Sequence, residues 1–270
     1  MLAGSLQFDQ YEGVLLRNTP DGDSFRLDIE VKSDAFWPKA GQFLQVKINP
    51  NALDPLLHRP LSVSDFDAKA GILTLRIRPV GRGTRHLVTR NPGSRIGFFG
   101  PLGEGFPLEQ AGSSPWIIAG GIGAAPMVFL ARALAERGIR VRTLVGAARA
   151  ADLVAVEALK RFSQDVVIWT EDASAGSQGV VTAGLAQIDE MQDERPSVLY
   201  ACGPVGMLKT LEATVLDTIP VFASLEAHMA CGVGACLGCA VGVRTPGGAP
   251  NYARVCREGP VFPLREVVLS

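Results

Sequence analysis

Four of the five cysteines in this 270-residue chain lie in a short stretch near its carboxyl end. Cys231, Cys236 and Cys239 follow the pattern C-x4-C-x2-C, and sixteen residues separate the third cysteine from Cys256. This spacing is typical of plant-type [2Fe-2S] sites, in which four thiolates hold two irons. Clustered thiols in a cytosolic chain indicate metal or redox ligands before they indicate disulfides. We therefore interpret the four cysteines as ligands of a [2Fe-2S] cluster.

The glycines among these thiols favour a cluster over a zinc site. Gly232, Gly234 and Gly238 have no Cβ atom, so they can adopt positive φ and turn backbone N–H groups toward the sulfides. A structural zinc site also uses four cysteines, but it usually pairs them as two C-x2-4-C units, whereas Cys256 stands alone. Zinc and disulfides stay open as alternatives, and we expect the fourth thiol to arrive on a separate strand.

A second polar segment lies among short apolar stretches in the first third of the chain. It reads Arg59-Pro60-Leu61-Ser62, and Arg76-Ile77-Arg78 and Gly83-Thr84 follow it. Arg59 can offer a guanidinium fork to a pyrophosphate, and Ser62 can place a hydroxyl beside a flavin ring. Gly83-Thr84 opens a short predicted helix whose N–H groups would meet a phosphate. An arginine in a strand is more often a solvated surface residue, but the combination with Gly83-Thr84 and with an α/β domain further along the chain favours FAD.

Two turns in the middle of the chain are candidates for a nicotinamide-nucleotide site. Gly121-Ile122-Gly123-Ala124-Ala125-Pro126 follows a predicted buried strand and opens a predicted helix, where glycines let the backbone approach a pyrophosphate. A proline replaces the last glycine of the usual fingerprint, and no acid follows at the spacing that binds a ribose, so NAD and NADP both stay open. Cys202-Gly203-Pro204 follows a later apolar run, and Cys202 is equally a small buried residue on type alone. Arg149 could meet a cofactor phosphate or face solvent.

The elements that must position these residues change in type along the chain. Up to about residue 105, short alternating apolar segments between Pro and Gly residues predict an antiparallel barrel or sandwich. From Pro115 onward, buried apolar runs alternate with helical segments, which predicts a doubly wound parallel α/β layer. After Pro220 the chain becomes rich in Gly and Cys. We expect three domains: a flavin-binding β-barrel at 1–108, a Rossmann-like NAD domain at 109–219 and a [2Fe-2S] domain at 220–270.

Composition excludes several classes of function. The chain has 26 Lys and Arg against 27 Asp and Glu, so it lacks the basic surface expected of a nucleic-acid-binding protein. No apolar run approaches the roughly 20 residues that cross a bilayer, and residues 1–5 show no start of a secretory leader. We expect a cytoplasmic protein that binds neither nucleic acid nor membrane.

The motifs, in this order, resemble those of the ferredoxin–NADP reductase superfamily. Its flavin motif is Arg-x-x-Ser on a barrel strand, and its nucleotide turns read Gly-x-Gly-x-x-Pro and Cys-Gly-Pro. Residues 224–236 and 252–262 closely resemble the electron-transfer subunits of type B dihydroorotate dehydrogenase, and the resemblance runs along essentially the whole chain. Flavin subunits of ferredoxin-dependent transhydrogenases and sulfhydrogenases share the architecture, but one group of them carries an aspartate at the position of Cys231.

The resemblance implies the NAD-linked electron-transfer subunit of a dihydroorotate dehydrogenase of pyrimidine biosynthesis. A separate catalytic subunit would oxidise dihydroorotate on FMN, and electrons would reach NAD⁺ through the [2Fe-2S] cluster and FAD of this chain. It also implies that Cys202 borders the nicotinamide and that two catalytic and two electron-transfer subunits form a heterotetramer. Two alternatives stay open: a subunit of a ferredoxin-dependent NADPH oxidoreductase or sulfhydrogenase, and a binding module that has lost its cofactors.

Overall fold

The computed structural model describes residues 9–49, 54–188, 195–215, 218–245, 248 and 251–269. In these ranges the chain forms a closed antiparallel barrel, a seven-stranded sheet flanked by helices and a small three-stranded sheet. The predicted combination of a barrel with a doubly wound layer is therefore confirmed. Residues 1–5, on which the expectation about a leader depended, lie outside the described ranges. No helix in the described part of the chain is long and apolar enough to cross a membrane.

The barrel is built from short strands whose inward side chains alternate with outward ones. Its elements are β1 (Gln10–Asp21), β2 (Ser24–Glu30), β3 (Phe43–Val46), β4 (Arg59–Asp67), β5 (Ile72–Ile77), α1 (Arg82–Val88) and β6 (Arg95–Leu102). The strands close in the order β1-β2-β5-β4-β3-β6. Because side chains alternate along a strand, Leu27 and Ile29 of β2 fill the interior with Leu73 and Leu75 of β5.

The remaining elements form the nucleotide layer and the tail. They are β7 (Pro115–Gly120), α2 (Ala124–Ala135), β8 (Val141–Ala147), α3 (Val156–Lys160), β9 (Ser163–Thr170), β10 (Ser177–Gln178), β11 (Val198–Cys202), α4 (Val205–Thr214), β12 (Val221–Ser224), β13 (Ala240–Val243), β14 (Asn251–Arg254), β15 (Val261–Pro263) and β16 (Val267–Val268). The larger sheet has the order β10-β9-β8-β7-β11-β12-β15. The strand order reverses between β7 and β11, and ligands of open α/β sheets bind at the carboxyl edge of such a reversal.

The tail is joined to the nucleotide layer by two strands of its own. β12 pairs in parallel with β11, and β15 pairs antiparallel with β12. Phe262 and Leu264 pack in the same buried cluster as Leu208 and Leu211 of α4. The domain boundary expected near residue 220 stays a prediction, and two strands of the segment beyond it complete the sheet of the preceding domain.

A buried polar chain fixes the barrel against the nucleotide layer. Ser64 on β4 donates a hydrogen bond to the carbonyl of Ala125 at the start of α2, at 2.6 Å. Arg76 on β5 donates to Ser64 Oγ at 2.6 Å and to the carboxylate of Asp21 at 2.6 Å. Buried polar groups that are fully paired specify one arrangement. The flavin segment on β4 is therefore held at a defined distance from the glycine turn that precedes α2.

Candidate functional site

A cavity of about 350 Å³ lies between the barrel, the start of α2 and the tail. Seven of the nine residues predicted to bind FAD line this cavity, and they are Pro60, Leu61, Ser62, Arg76, Ile77, Arg78 and Thr84. Phe43, Ile122 and Met229 add apolar surface to its wall. An apolar cavity with a few convergent polar groups is the usual form of a cofactor site. The individual FAD contacts stay predictions.

Arg59 and Gly83, the other two predicted FAD residues, lie against each other beside this cavity. A Cβ atom on Gly83 would stand 2.8 Å from Nε and 2.9 Å from Nη2 of Arg59. The absence of a side chain at Gly83 therefore leaves the space that the guanidinium occupies over the start of α1. Thr84 Oγ1 accepts a hydrogen bond from the Gly81 N–H at 3.0 Å, which closes the first turn of this helix. A cation and a helix start come together here, as the sequence predicts for a phosphate contact.

The two turns predicted to hold NAD pack backbone against backbone at the carboxyl edge of the large sheet. A Cβ atom on Gly123 would lie 2.3 Å from the carbonyl oxygen of Cys202. Gly121 adopts a φ of +53°, and Gly121 and Pro204 line a cavity of about 660 Å³. Gly123, Cys202 and Gly203 form the packing beside this cavity. The structure thus brings the five predicted residues together, and their contacts with NAD stay predictions.

Cys202 is a buried neutral thiol. It is 2% exposed, and burial raises its pKa well above the usual range, with a further increase from the nearby carboxylate of Glu226. A hydrogen bond with Ser224 opposes this effect without cancelling it. Because the thiolate is the nucleophilic form, Cys202 suits a packing role beside the nucleotide and is unsuited to covalent chemistry.

Arg78 lies where the two cavities meet. It lines both of them, and its Nε forms a 2.6 Å ion pair with the carboxylate of Asp23. Glu226 lines the flavin cavity, where desolvation raises the pKa of its carboxyl group and Arg78 lowers it. The residue as a whole also reaches solvent. A fixed cation therefore borders both cavities, and an acid with a raised pKa borders the flavin cavity.

Acidic residues that sequence spacing missed line the nucleotide cavity. Asp152 follows β8, and Glu171 directly follows β9; both face the same cavity as Gly121. Arg149 lines it as well, and its guanidinium donates twice to the carboxylate of Asp152, at 3.0 Å each. Their position after predicted parallel strands could have identified them, because the carboxyl ends of such strands share one edge of the sheet.

The four thiols of the tail come together as two pairs. Cys231 contacts Cys236, and Cys239 contacts Cys256. Within the described ranges, no group of three or more His, Cys, Asp or Glu side chains converges on a site for a single metal ion. Each iron of a [2Fe-2S] cluster takes two of the four protein thiolates. The donor set therefore fits a two-iron cluster.

Backbone N–H groups of the loop point at the thiols. Those of Val233 and Cys236 donate to Sγ of Cys231 at 3.4 Å each, and that of Gly234 donates to Sγ of Cys256 at 3.1 Å. Desolvation opposes ionisation of Cys231, but the N–H groups of Val233 and Cys236 and the Cys236 thiol lower its pKa to about 6. Burial and the neighbouring Cys239 raise the pKa of Cys256 to about 12. The loop is thus preorganised for a thiolate at Cys231.

The loop reaches this arrangement in a slightly different way from the one expected. Gly232 and Gly234 have φ values of +70° and +81° as predicted, but Gly238 does not have positive φ, and Leu237 takes that conformation instead, at +60°. Leu237 is exposed, and its Cβ atom carries the local steric cost that a glycine would avoid. Cys256 lies in the turn that follows β14 and not on a strand, because the carbonyl of Arg254 accepts hydrogen bonds from the N–H groups of Arg257 and Glu258, at 3.0 Å each, and the chain turns there.

An arginine clamps the loop from the side of β14. Arg254 donates from Nη1 to the carbonyl of Gly234 at 2.9 Å and from Nε to Glu258 at 3.0 Å. The hydrogen bond from Arg254 lowers the pKa of Glu258 to about 2. The carboxylate therefore stays charged and holds the guanidinium against the loop.

Two family models match this chain. Residues 226–268 match the iron-sulfur cluster binding domain of dihydroorotate dehydrogenase B. Residues 117–213 match the oxidoreductase NAD-binding domain. The first range contains the four clustered thiols, and the second contains both turns at the edge of the large sheet.

Curated relatives align with nearly the whole chain. The dihydroorotate dehydrogenase B (NAD(+)) electron transfer subunit of Shouchella clausii (strain KSM-K16) is 40% identical over 249 residues, which cover 92% of this chain and 93% of the relative. The subunit of the same name from Bacillus caldolyticus is 43% identical over 231 residues, which cover 85% and 86%.

Solved structures share the fold. A chain of the NADH-dependent reduced ferredoxin-NADP oxidoreductase, studied for flavin-based electron bifurcation, superimposes with a TM-score of 0.82 at 27% identity, over 95% of this chain and 90% of that one. The ferredoxin reductase in carbazole 1,9a-dioxygenase superimposes with a TM-score of 0.65 at 20% identity, over 80% and 68%. The second likeness concerns the fold alone.

Proposed function

The chain belongs to the family of dihydroorotate dehydrogenase B electron transfer subunits, and from this premise we propose that it carries electrons from a catalytic partner subunit to NAD⁺. When bound, the [2Fe-2S] cluster supplies one-electron transfer and FAD supplies the exchange between one-electron and two-electron steps. The oxidation of dihydroorotate takes place in the partner. This chain contributes the three sites and the distances between them.

One observation carries the proposal: the cluster loop lies against the outer face of the barrel, beside the flavin motif. Gln45 on β3 stands opposite Pro60 of the flavin motif in the β3–β4 ladder. A Cβ atom on Gly232 of the cluster loop would lie 2.5 Å from the amide nitrogen of Gln45. Neighbouring strands are about 4.8 Å apart. A single residue, Gln45, therefore contacts the cluster loop and lies on the strand next to the flavin motif.

The acids of the nucleotide cavity support NAD as the electron acceptor. Carboxylates such as Asp152 and Glu171 can accept hydrogen bonds from ribose hydroxyls, and they repel the extra phosphate of NADP. Arg149 could in principle attract that phosphate, but its fork is paired with Asp152. These contacts favour the unphosphorylated nucleotide.

The alternative role, as a subunit of a ferredoxin-dependent NADPH oxidoreductase or sulfhydrogenase, has weaker support. The ferredoxin-NADP oxidoreductase chain is 27% identical to this one, whereas the two dihydroorotate dehydrogenase subunits are 40% and 43% identical. The pairing of the four thiols and the intact cavities also argue against a module that has lost its cofactors.

We infer that the catalytic partner binds an exposed face beside the cluster. Tyr252 of β14, Gly242 of β13 and Val268 of β16 stand opposite one another in the three-stranded sheet. Tyr252 and Val268 are exposed, and so are Leu237 and the Cys236 thiol in the loop before β13. Contiguous exposed apolar groups mark protein interfaces. The catalytic subunit would cover this face, in a complex of two subunits of each kind located in the cytoplasm, where thiols stay reduced.

Co-expression with a catalytic FMN subunit tests the proposal. The purified complex should reduce NAD⁺ when dihydroorotate is added, prefer NAD⁺ to NADP⁺, and have the mass of two subunits of each kind. The chain alone should reduce artificial acceptors with NADH but should not react with dihydroorotate. A fully FAD-loaded, cluster-loaded complex that fails to couple dihydroorotate to NAD⁺ would defeat the assignment.

A further inference from the structure

Gln45 is a fully buried amide whose polar atoms have no partner. The residue is 0% exposed, and neither Nε2 nor Oε1 makes a hydrogen bond within the described part of the chain. Leaving such a group unpaired in the interior is costly, because it has lost its hydrogen bonds to water. A buried amide that no protein group satisfies points to a bound group that does.

The surroundings of Gln45 identify the direction of its amide. Leu44 and Val46, its neighbours on β3, belong to the barrel interior, so Gln45 faces outward with Phe43. Its two ladder partners, Pro60 and Phe99, carry no polar side-chain atom.

Gly232 of the cluster loop lies directly against this amide. A Cβ atom at Gly232 would stand 2.5 Å from Nε2 and 2.6 Å from Cγ of Gln45, and the φ of Gly232 is +70°. The glycine therefore allows the amide to approach the loop backbone beside Cys231. No larger residue at this position would permit the same contact.

We propose that the Nε2 amide of Gln45 donates a hydrogen bond to a sulfur on the Cys231 side of the [2Fe-2S] cluster and thereby raises its reduction potential. This inference rests on the proposed function, since it requires the cluster. Thiolates and sulfides are negatively charged acceptors, and hydrogen bonds to charged acceptors are the strong ones. A donor stabilises the more negative, reduced cluster more than the oxidised one, and hydrogen bonds to sulfur are among the factors that set cluster potentials.

The barrel would thus complete a shell of donors that the loop alone leaves open. Val233 and Cys236 supply N–H groups to Cys231 from within the loop, whereas Gln45 approaches from the barrel. Because Gln45 also stands opposite the flavin motif, the residue links the potential of the cluster to the integrity of the flavin strand.

Three substitutions at Gln45 test the inference in the full, cofactor-loaded protein purified without oxygen. Gln45→Leu removes the donor, Gln45→Met removes it while keeping the length of the side chain, and Gln45→His restores an N–H. Gln42→Leu is the matched control, because Gln42 uses its amide to bond the carbonyl of Gly103 at 2.7 Å. The measurements are the cluster and FAD midpoint potentials and the electron paramagnetic resonance spectrum of the reduced cluster.

We expect Gln45→Leu to shift the one-electron equilibrium of the cluster about tenfold toward the oxidised form, a fall of about 59 mV, and to change the spectrum. Gln45→Met should lower the potential by a similar amount, Gln45→His should recover part of it, and Gln42→Leu should match the wild type. A loaded Gln45→Leu cluster with wild-type potential and spectrum would overturn the inference, as would a shift confined to FAD.

If Gln45→Leu cannot hold the cluster, the nearly isosteric Gln45→Met protein, which also lacks a donor, decides: a lowered potential supports the inference and a wild-type potential refutes it. Wild-type protein that carries zinc or no metal would defeat the proposed function and this inference together. If the wild-type protein holds a [2Fe-2S] cluster but the Gln45 variants keep its potential and spectrum, this inference alone is defeated.

Discussion

Gly123 occupies a position that has no room for a side chain. A Cβ atom there would lie 2.3 Å from the carbonyl oxygen and 2.5 Å from the carbonyl carbon of Cys202, and 2.8 Å from the nitrogen of Gly203. All three are backbone atoms, which cannot rotate away, and carbon contacts are comfortable only at roughly 3.5–4.0 Å. Gly123→Ala must therefore push the two nucleotide turns apart by roughly 1 Å.

A displacement of this size should be visible in hydride transfer. Misplacing reacting groups by about 1 Å costs on the order of a hundredfold in rate, which corresponds to about 2.7 kcal/mol of activation free energy. We expect Gly123→Ala to lower kcat/KM for NADH-dependent reduction of ferricyanide by about a hundredfold. FAD content and the visible spectrum of the cluster should be unchanged, because neither predicted site includes Gly123.

The control is Gly97→Ala on β6, where the nearest atom to a new Cβ is 3.8 Å away. This variant should keep wild-type kinetics, and thermal unfolding of both variants should show that they are folded. A Gly123→Ala protein whose kcat/KM stays within twofold of the wild-type value would refute the claim that close packing of the two turns positions the nicotinamide.

Three further predictions concern the flavin, the buried thiol and the partner face. Arg59→Ala should weaken FAD binding roughly ten- to a hundredfold, since a hydrogen bond to a charged group contributes about 1.5–3 kcal/mol. The amount of flavin retained after gel filtration measures this effect. Equal retention in Arg59→Ala and in the surface control Arg95→Ala would contradict the prediction. Cys202 should resist iodoacetamide at pH 8 while the protein is folded, because burial raises its pKa, and mass spectrometry should find it alkylated only after denaturation; labelling of the folded protein would contradict its buried neutral state. Leu237→Asn should keep the cluster, since Asn tolerates positive φ, and should weaken binding to the catalytic subunit about tenfold through lost apolar burial; unchanged affinity would exclude this face.

The parts of the molecule that could be predicted from sequence are those encoded locally. Cys231, Cys236 and Cys239 lie within one loop, so their spacing alone reports the cluster geometry. The barrel strands are predicted by the alternation of apolar and polar residues with a period of two, and the flavin motif lies within one of them. Arg59 and Gly83 were each predicted to bind FAD, and the structure adds that they lie against each other.

The parts that could not be predicted depend on contacts between distant segments. Glu171 reaches the nucleotide cavity because β9 runs parallel to its neighbours, which no spacing rule measured from Gly123 reveals. β12 and β15 complete the large sheet, although they lie in the Gly- and Cys-rich segment after Pro220 that composition assigns to a separate domain. Gln45 is typed as a surface residue by its chemistry, and only the approach of Gly232 shows that it is buried.

The composition of the metal centre tests the central claim most directly. Protein purified without oxygen should contain about two irons and two acid-labile sulfides per chain, and dithionite should produce the paramagnetic resonance signal of a reduced [2Fe-2S] cluster. Cys256→Ser should diminish that signal while leaving NADH-dependent ferricyanide reduction intact. Zinc in place of iron, or a wild-type chain without any metal, would contradict the account.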